Sequence, residues 1–317
     1  MKIATVIITT DRSPRNNYLA STIHSFAASG LFDHKDFSLD IFHSGEGEAN
    51  IPRALLERHN VTLHTESSKV RFNPAVVQGL SIGHSRNADW VLFCEDDIQA
   101  CVGFPEFVLS QLQLAGDAPM VDFVTYYSEI VDAYFNGDRI AHLDAKGFYG
   151  TQCFALSSVA AKDFARFIVE NMDSKEGFAD TWFNDWLSSS NRTTQIASSV
   201  PSAAQHIGVD SNHQHKFINA PGFKDDLDKS IAAQTGEFEL TQLKKNQVGL
   251  KRKDSLNAYE LNLPAQLIYL SCDGSHTIKQ IVDELVQNLN QDAAQLNSEV
   301  RQCIKELSDL GAVHYLR

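Results

Sequence analysis

The sequence predicts an α/β protein with a mostly parallel sheet, followed by a smaller domain of helices and short strands. First, apolar, β-branched runs alternate with segments of helical periodicity up to residue 217, which is typical of a parallel sheet covered by helices. Second, the chain turns polar from there to Thr235. Third, a hairpin pattern and three helical patterns follow. We therefore predict one domain at 1–217, a linker at 218–235 and a second domain at 236–317.

The elements of the first domain follow from the apolar pattern. The run Ile3–Thr10 is β-branched and almost wholly apolar, as in a central strand buried on both faces. A helix start is predicted at Ser13-Pro14, ahead of apolar residues at Leu19, Ile23 and Phe26. Further strands are predicted at Phe37–His43, Val61–His64, Trp90–Cys94, Val121–Tyr127 and Gln152–Leu156, and further helices at Pro74–Ser85, Phe104–Leu114 and Ser158–Asn171.

The second domain is predicted to be of winged-helix type. A hairpin of two short strands precedes three helices, and Gly311 closes the last of them. A final strand ends the pattern. The predicted strands are Gln247–Arg252, Ala258–Leu261 and Ala312–Leu316, and the predicted helices are Pro264–Leu270, Thr277–Asn288 and Ala293–Asp309.

Composition limits the possible partners and location. The chain has 27 basic and 40 acidic residues, a net charge of −13, which argues against nucleic acid or an anionic membrane as a partner. The five cysteines form no C-x-x-C pair, so reduced thiols are expected rather than zinc or disulfides. No segment is long and apolar enough to span a membrane, and the first strand does not read as a signal peptide. We expect a cytoplasmic protein.

Three consecutive carboxylates, Glu95, Asp96 and Asp97, come directly after the apolar run Trp90–Cys94. Ligands of open α/β sheets bind beyond the carboxyl ends of the strands. Neighbouring carboxylates repel each other unless a cation or hydrogen-bond donors balance them. A hard divalent ion with oxygen ligands would do so, and it could neutralise a departing diphosphate. An acidic strand end on a solvated loop is the alternative.

Five segments in this order resemble elements of GT-A glycosyltransferases. "TVIITTDR" resembles the first strand and nucleotide-contacting loop, and "NADWVLFCEDD" resembles the D-x-D element. "YGTQCFALSSVAAKDF" resembles the acceptor-side segment, and "DTWFNDWL" resembles an acidic helix start that often supplies the base. "PSAAQHIG" resembles the P-x-x-x-Q-H-x-G ending of N-acetylglucosaminyltransferases that branch N-glycans. The resemblance implies a GT-A, Rossmann-like domain that uses a nucleotide-sugar donor, UDP-linked, with Mn²⁺ or Mg²⁺.

The resemblance also implies a role for individual residues. Asp97 would bind the metal ion directly, with His206 as a second ligand, although a lone histidine near apolar residues can also be a satisfied core group. Glu95 and Asp96 would hold the ribose, the sugar or metal-bound water. The nucleotide pocket would be lined by Thr10, Asp11 and Arg12, with a second contact from Arg71 and Asn73.

Asp180 is the candidate general base, and Asp185 is its competitor. An inverting transfer needs a carboxylate that deprotonates the acceptor. Asp180 also fits an N-cap of a helix at Thr181–Leu187. Two further features stay open: the pair His213 and His215 could bind metal or do nothing, and the aromatic residues Trp182, Phe183 and Trp186 could stack on a sugar or belong to the core.

The segment "AYELNLPAQLIYLSCDGSHTIKQIVDELVQNL" resembles the PqqD-like family, also called the RiPP recognition element, from about residue 240 to the end. Asn262, Ala265, Asp273, Gly274 and Thr277 stand at the positions of the family motif. The resemblance implies that the leader of a precursor peptide adds as a strand to the hairpin edge and packs on the third helix. The docking surface would include Tyr259, Leu261, Val300 and Ile304.

Three functions are consistent with these features. The first is an inverting, metal-dependent glycosyltransferase that modifies a ribosomally made peptide recruited by the second domain. The second keeps the chemistry but transfers the sugar to a surface polysaccharide or a lipid-linked glycan. The third is a non-catalytic scaffold that binds a peptide. Nucleic-acid binding is disfavoured by the acidic balance and by the lack of a basic stripe on the third helix.

Overall fold

The chain folds into two compact units, each described here by itself. The first unit comprises Met1–Ile130 and Arg139–Phe223, and the second comprises Val131–Asp138 and Lys224–Arg317. The structure is a computed structural model that describes residues 1–11, 18–46, 51, 53–124, 126–127, 129–144, 148, 150–172, 179–189, 195–208, 220, 222–229, 231–244, 247–289 and 293–316.

In chain order, the first half of the larger unit runs as follows: β1 (Ile3–Thr10), α1 (Leu19–Ala28), a short 3-10 helix (Leu31–Asp33), β2 (Phe37–Ser44), α2 (Arg53–Leu56), β3 (Val61–Glu66), α3 (Phe72–Ser85), β4 (Trp90–Glu95), β5 (Ile98–Ala100) and α4 (Phe104–Leu114). The chain continues with β6 (Met120–Asp122), α5 (Glu129–Phe135), β7 (Ile140–Asp144), β8 (Cys153–Ser157), α6 (Ser158–Asn171), α7 (Ala179–Ser189), β9 (Gln195–Ser199) and β10 (Ala204–His206).

An eight-stranded sheet in the order β3-β2-β1-β4-β8-β6-β9-β7 forms the centre of this unit. The first four strands are parallel, whereas β8 is antiparallel to both β4 and β6. Side chains of α1 and α4 fill the core on one face of the sheet, and side chains of α3, α6 and α7 fill the core on the other. The predicted α/β class with a large, mostly parallel sheet is confirmed.

The separate two-stranded sheet of β5 and β10 matters for the site. These strands pair antiparallel, with His206 opposite Ile98. Neither strand is predicted from the sequence, because each has three residues and no periodicity of its own. Two smaller differences concern the predicted elements: the strand predicted at Val121–Tyr127 is limited to Met120–Asp122, and the helix start predicted at Ser13-Pro14 lies outside the described residues.

In the second unit the chain runs through α8 (Lys224–Lys229), β11 (Ile231–Gln234), β12 (Phe238–Lys244), β13 (Gln247–Arg252), β14 (Ala258–Leu261), α9 (Leu263–Ser271), β15 (Asp273–Thr277), α10 (Ile278–Leu289), α11 (Ala293–Asp309) and β16 (Val313–Leu316). Two three-stranded sheets result, with the orders β15-β11-β16 and β12-β13-β14. The predicted hairpin, three helices and final strand are all present.

The linker predicted at 218–235 is wrong over its second half. Residues 224–229 form α8, and residues 231–234 form β11, the central strand of a sheet. Ala232 is fully buried there. The polar composition of this stretch suggests a linker. However, β11 pairs with β15 on one side and with β16 on the other, and these backbone hydrogen bonds determine its structure. A second domain that begins at residue 236 would lose this strand.

The short segment Val131–Asp138 belongs to the second unit although its sequence neighbours belong to the first. It contributes Tyr134, whose ring lies 4.1 Å from the guanidinium carbon of Arg301 in α11. Arg301 is buried, and burial lowers its pKa to about 10. A cation stacked on an aromatic face is stabilised where water is excluded. This contact therefore fixes the segment to the third helix of the second unit.

No helix within the described ranges is both long enough and apolar enough to cross a membrane. All five cysteines are free thiols. The Sγ atoms of Cys94 and Cys153 lie 3.5 Å apart on neighbouring strands, and burial raises the pKa of the Cys153 thiol.

Candidate active site

Asp96 is an internal anchor of the loop that follows β4. Its side chain is buried, and the hydroxyl of Thr9 donates a hydrogen bond of 2.6 Å to its Oδ2. The hydroxyl of Thr22 in α1 donates to the Asp96 carbonyl at 2.7 Å and accepts from the amide of Ile98 at 3.0 Å. These bonds fasten the acidic loop to β1 and α1. This setting favours a positioning role for Asp96 over the predicted direct contact with ribose or sugar.

Asp97 and His206 are brought together from positions more than a hundred residues apart in the sequence. The pairing of β5 with β10 places His206 beside the acidic loop, and its Nε2 lies 3.2 Å from Asp97 Oδ2. The Asp97 side chain is 6% exposed and that of His206 is 18% exposed. The amide of Ile207 also donates to the Asp97 carbonyl at 2.8 Å. Both residues predicted to bind metal therefore form one pair at the carboxyl end of β4, with Asp97 buried and His206 partly buried.

Gly208 leaves the space that this pair needs. A Cβ atom added to Gly208 would lie 2.4 Å from Asp97 Oδ2 and 2.9 Å from His206 Nε2. Both distances are far below normal contact, so any side chain at this position would displace the carboxylate or the imidazole. The backbone approaches the pair closely because residue 208 is a glycine.

The Asp97–His206 pair fits a divalent ion that takes its remaining ligands from a substrate. Carboxylate oxygen suits Mg²⁺ and Mn²⁺, and imidazole is an accepted ligand of first-row ions such as Mn²⁺. Among the described residues, no group of three or more His, Cys, Asp or Glu side chains could hold a metal ion by itself. An ion of the Mg²⁺ type is commonly bound by one or two protein groups plus phosphate and water. The donor set therefore suits Mn²⁺ or Mg²⁺ bound together with a diphosphate.

A second pair lies at the carboxyl ends of β1 and β2. His43 Nε2 is 3.0 Å from Asp11 Oδ1. The preceding residue, Thr10, donates its hydroxyl hydrogen to the carbonyl of Ser44 at 2.7 Å. Asp11 is thus held at the edge of the sheet where ligands of such folds bind. Arg12, the third residue predicted to line the nucleotide pocket, lies outside the described residues.

The other predicted site residues are less closely defined. Arg71 is exposed at the start of α3, and Asn73 is partly buried in its first turn. Glu95 ends β4 and is partly exposed. Asp185 is partly buried in α7, and Asp180 is the second residue of that helix, with a side chain outside the description. His213 and His215 also lie outside it.

The aromatic residues of α7 belong to the core. Trp182, Phe183 and Trp186 are at most 2% exposed. Phe164 of α6 packs against this group, with its ring centroid 5.3 Å from that of Phe183 and 5.2 Å from that of Trp186. Of the two interpretations of this aromatic stretch, core packing is the one that the structure supports.

Four residues that the sequence reasoning missed take part in this site: Thr9, Thr22, His43 and Gly208. Thr9 lies in a strand and Thr22 in a helix, and the sequence patterns of these elements give no signal of a role in the site. His43 ends a predicted strand, and the signal that could have identified it is its position at the same sheet edge as Asp11. Gly208 falls inside the quoted segment "PSAAQHIG", where a glycine two residues after the histidine indicates a close approach of the backbone.

The predicted peptide surface of the second unit is divided between exposed and buried residues. Tyr259 is 53% exposed on β14, and Leu261 is partly exposed on the same face. Within the described residues, β14 pairs with β13 on one side only, so its other edge is open. Val300 and Ile304 are fully buried, because they form the inner face of α11. This corrects the expectation that they contact a peptide.

Comparison with known protein families gives a match within the second unit. Residues 251–313, about one fifth of the chain, match the family model of coenzyme PQQ synthesis protein D, PqqD. No curated protein sequence matches the chain.

Three solved structures are similar to the chain at low identity. A 4-diphosphocytidyl-2C-methyl-D-erythritol synthase from Anaerococcus prevotii is 10% identical, with a TM-score of 0.42 over 67% of this chain and 92% of that one. The galactosyltransferase LgtC, solved with donor and acceptor sugar analogues, is 12% identical, with a TM-score of 0.37 over 57% of this chain and 69% of that one. Residues 1–349 of S. aureus TarS are 10% identical, with a TM-score of 0.44 over 64% of this chain and 59% of that one.

These three similarities are too distant to assign an activity. The architecture itself is clear from the strand order and the family match. Residues 251–313 are a PqqD domain, and the larger unit that precedes it in the chain is a mixed α/β unit with a large, mostly parallel central sheet.

Proposed function

We propose that this protein is a metal-dependent glycosyltransferase that moves a sugar from a nucleotide donor, UDP-linked, to a ribosomally made peptide. The observation that carries the proposal is the pair of buried Asp97 and partly buried His206 at the carboxyl end of β4, with Gly208 against it. Asp97 and His206 would hold Mn²⁺ or Mg²⁺, which supplies positive charge next to the diphosphate that leaves. Reduced cysteines agree with a reaction in the cytoplasm.

The larger unit would supply the groups for the transfer. Thr9 and Thr22 hold the acidic loop in place. Asp11, which His43 contacts at the end of β1, would bind the nucleoside. A carboxylate of α7, Asp180 or the competing Asp185, would accept the proton of the acceptor. The acceptor atom then forms its bond to the anomeric carbon while the bond from that carbon to the diphosphate oxygen breaks. Attack on the face opposite the leaving group inverts the anomeric carbon.

The PqqD domain would recruit the acceptor peptide. The open edge of β14 offers backbone groups to an added strand, and Tyr259 and Leu261 lie on one face of that strand. Backbone pairing of this kind gives affinity, and pockets for alternate side chains give selectivity. Holding the leader on the same chain as the transferase raises the effective concentration of the acceptor segment. A leader segment is therefore the partner that we assign to this edge.

The first test is calorimetric titration of the full chain with UDP, with and without Mn²⁺. We expect binding that requires metal and that disappears in Asp97→Ala. Asp36→Ala is the matched control, because Asp36 forms an ion pair with Lys2 on the surface and should leave binding unchanged. Metal-independent or absent UDP binding in the wild-type protein would favour the non-catalytic scaffold.

The second test identifies the acceptor. The full chain is incubated with UDP-sugars, Mn²⁺ and the precursor peptide encoded beside its gene, and the peptide mass is measured. A mass increase of one sugar supports the proposal. An enzyme that binds UDP with metal but modifies only a polysaccharide or lipid-linked glycan would contradict the peptide assignment and leave the transferase assignment standing.

A further inference from the structure

Besides Asp97 and His206, the described part of the first unit contains two further pairs of an aspartate and a histidine, and these two pairs differ in their surroundings. In the first, His43 Nε2 lies 3.0 Å from Asp11 Oδ1, at the carboxyl ends of β2 and β1. The His43 side chain is 5% exposed, whereas that of Asp11 is 39% exposed. The histidine is therefore part of the interior, and it holds a carboxylate that reaches the surface of the unit.

The second pair lies within β2 and β3. His64 Nε2 is 2.7 Å from Asp40 Oδ1, and Arg86 Nε donates to Asp40 Oδ2 at 2.8 Å. Asp40 is fully buried. A buried carboxylate that is shared by a guanidinium and an imidazole serves the fold. The contrast indicates that the pair at the sheet edge has a different purpose.

We propose that His43 is a positioning residue that fixes the Asp11 carboxylate toward the nucleoside of the donor. An ionised carboxylate only accepts hydrogen bonds, so the ring nitrogen that faces it carries hydrogen and donates. On the other side, a Cβ atom added to Gly45 would lie 2.3 Å from Asp11 Cγ, so the carboxylate rests close to the Gly45 backbone. The Asp11 carboxylate therefore lies between a bond to the imidazole and a close approach to the Gly45 backbone, and we expect these two contacts to limit its orientation.

The ligand of Asp11 belongs to a defined chemical class. A carboxylate held at this edge accepts from N–H or O–H donors, and a nucleoside offers both on its base and its ribose. Preorganising the acceptor lowers the cost of ordering it when the nucleotide binds. This role rests on the proposed function, because it assumes that the nucleoside lies at the carboxyl end of β1.

The experiment compares UDP affinity in the presence of Mn²⁺ across full-length variants. We expect His43→Leu to weaken UDP binding about tenfold, the usual scale for one hydrogen bond to a charged group. His43→Gln, whose side-chain N–H can replace Nε2, should retain most of the affinity. His64→Leu is the matched control: it removes one of the two partners of Asp40, so it should lower thermal stability and leave UDP affinity unchanged.

A double-mutant cycle separates positioning from a general structural effect. If His43 acts through Asp11, His43→Leu adds no further loss in a protein that already carries Asp11→Ala. Thermal melts establish that each variant is folded. If His43→Leu does not fold, His43→Asn replaces it, because an asparagine side chain is too short to reach Asp11 Oδ1.

Three results would overturn the proposal: unchanged affinity in His43→Leu, unchanged affinity in Asp11→Ala, or a full additional loss in the double variant. A wild-type protein that fails to bind UDP with Mn²⁺ is a different outcome, because it overturns the proposed function itself.

Discussion

At the scale of single residues, the three neighbouring carboxylates after β4 have different surroundings. Glu95 is partly exposed at the end of the strand, and Asp96 is buried with its Oδ2 bonded to Thr9. Asp97 is buried beside His206. Repulsion between adjacent acids is reduced where a carboxylate has a partner, as Asp96 has in Thr9 and Asp97 has in His206. Asp96 therefore stabilises the loop, whereas Asp97 is the acid to which we assign the cation in the proposed function.

Gly208→Ala tests the space above Asp97. The added Cβ would lie 2.4 Å from Asp97 Oδ2, so we expect metal-dependent UDP affinity to fall by about tenfold or more. The control is Gly116→Ala, where a Cβ meets nothing within 4 Å but the backbone φ is +59°. That control should lower stability by about 1 kcal/mol without changing UDP affinity. Calorimetric titration and thermal melts measure both quantities, and equal UDP affinity in Gly208→Ala would contradict the prediction.

The buried carboxyl group of Asp122 predicts how the stability of the protein depends on pH. Its Oδ1 accepts from the amide of Val124 at 3.3 Å, and no described residue donates to Oδ2. Burial raises its pKa well above the ordinary value. The folded protein therefore keeps a proton that the unfolded chain releases near pH 4, so this group makes stability fall as pH rises from about 4 toward the raised pKa.

Asp122→Asn removes this titration. The free energy of unfolding of the variant relative to wild type should increase with pH above about 4, by at most about 1.4 kcal/mol per pH unit. Urea denaturation between pH 4 and pH 8 measures the difference, with Asp138→Asn as a control at another aspartate. A difference that stays constant over this range would show that Asp122 titrates normally.

At the scale of elements, α11 explains why two predicted docking residues are structural. Val300 and Ile304 lie one turn apart on the inner face of this helix and are fully buried. An amphipathic helix presents such positions to the core of its own domain. In the proposed function, peptide contact would fall to side chains at the surface, such as Tyr259 on the edge strand β14.

Ile304→Ala measures this burial. Removing a buried aliphatic side chain leaves a cavity, so we expect a loss of about 2–5 kcal/mol in the free energy of unfolding of the second unit. Leu270→Ala in α9 is the matched control, because Leu270 is 54% exposed and its loss should cost no more than about 0.5 kcal/mol. Chemical denaturation followed by circular dichroism provides the comparison. Equal stability of both variants would contradict the buried position.

Elements with strong local patterns were predictable, and elements made by distant pairing were not. The bounds of β1, α4, α6 and α11 agree with the prediction, because the spacing of apolar residues within each segment indicates both its type and its length. β5, β10 and β11 are short, and they exist because partners elsewhere in the chain pair with them. The same limit applies to the site: Glu95, Asp96 and Asp97 stand out in the sequence, whereas the partners Thr9, Thr22 and His43 are defined only by folding.

At the scale of the whole molecule, the leader should govern turnover. We expect the full chain to modify a precursor peptide with its leader at least about tenfold faster, at low concentration, than the same peptide without it, because tethering raises the effective concentration of the acceptor. Excess free leader should compete, and a leader of scrambled sequence should not. Mass analysis over time measures the rates. Equal rates with and without leader would contradict recruitment by the PqqD domain.

The assignment of Val131–Asp138 to the second unit has a practical consequence for engineering. A fragment taken as residues 224–317 would leave Tyr134 behind and uncover the Arg301 guanidinium that its ring stacks on. A fragment that ends at Phe223 would keep a helical turn whose packing partners had been removed. Exchanging the second unit of this protein for that of another therefore requires both of its chain segments to be exchanged, not a single joint before Lys224.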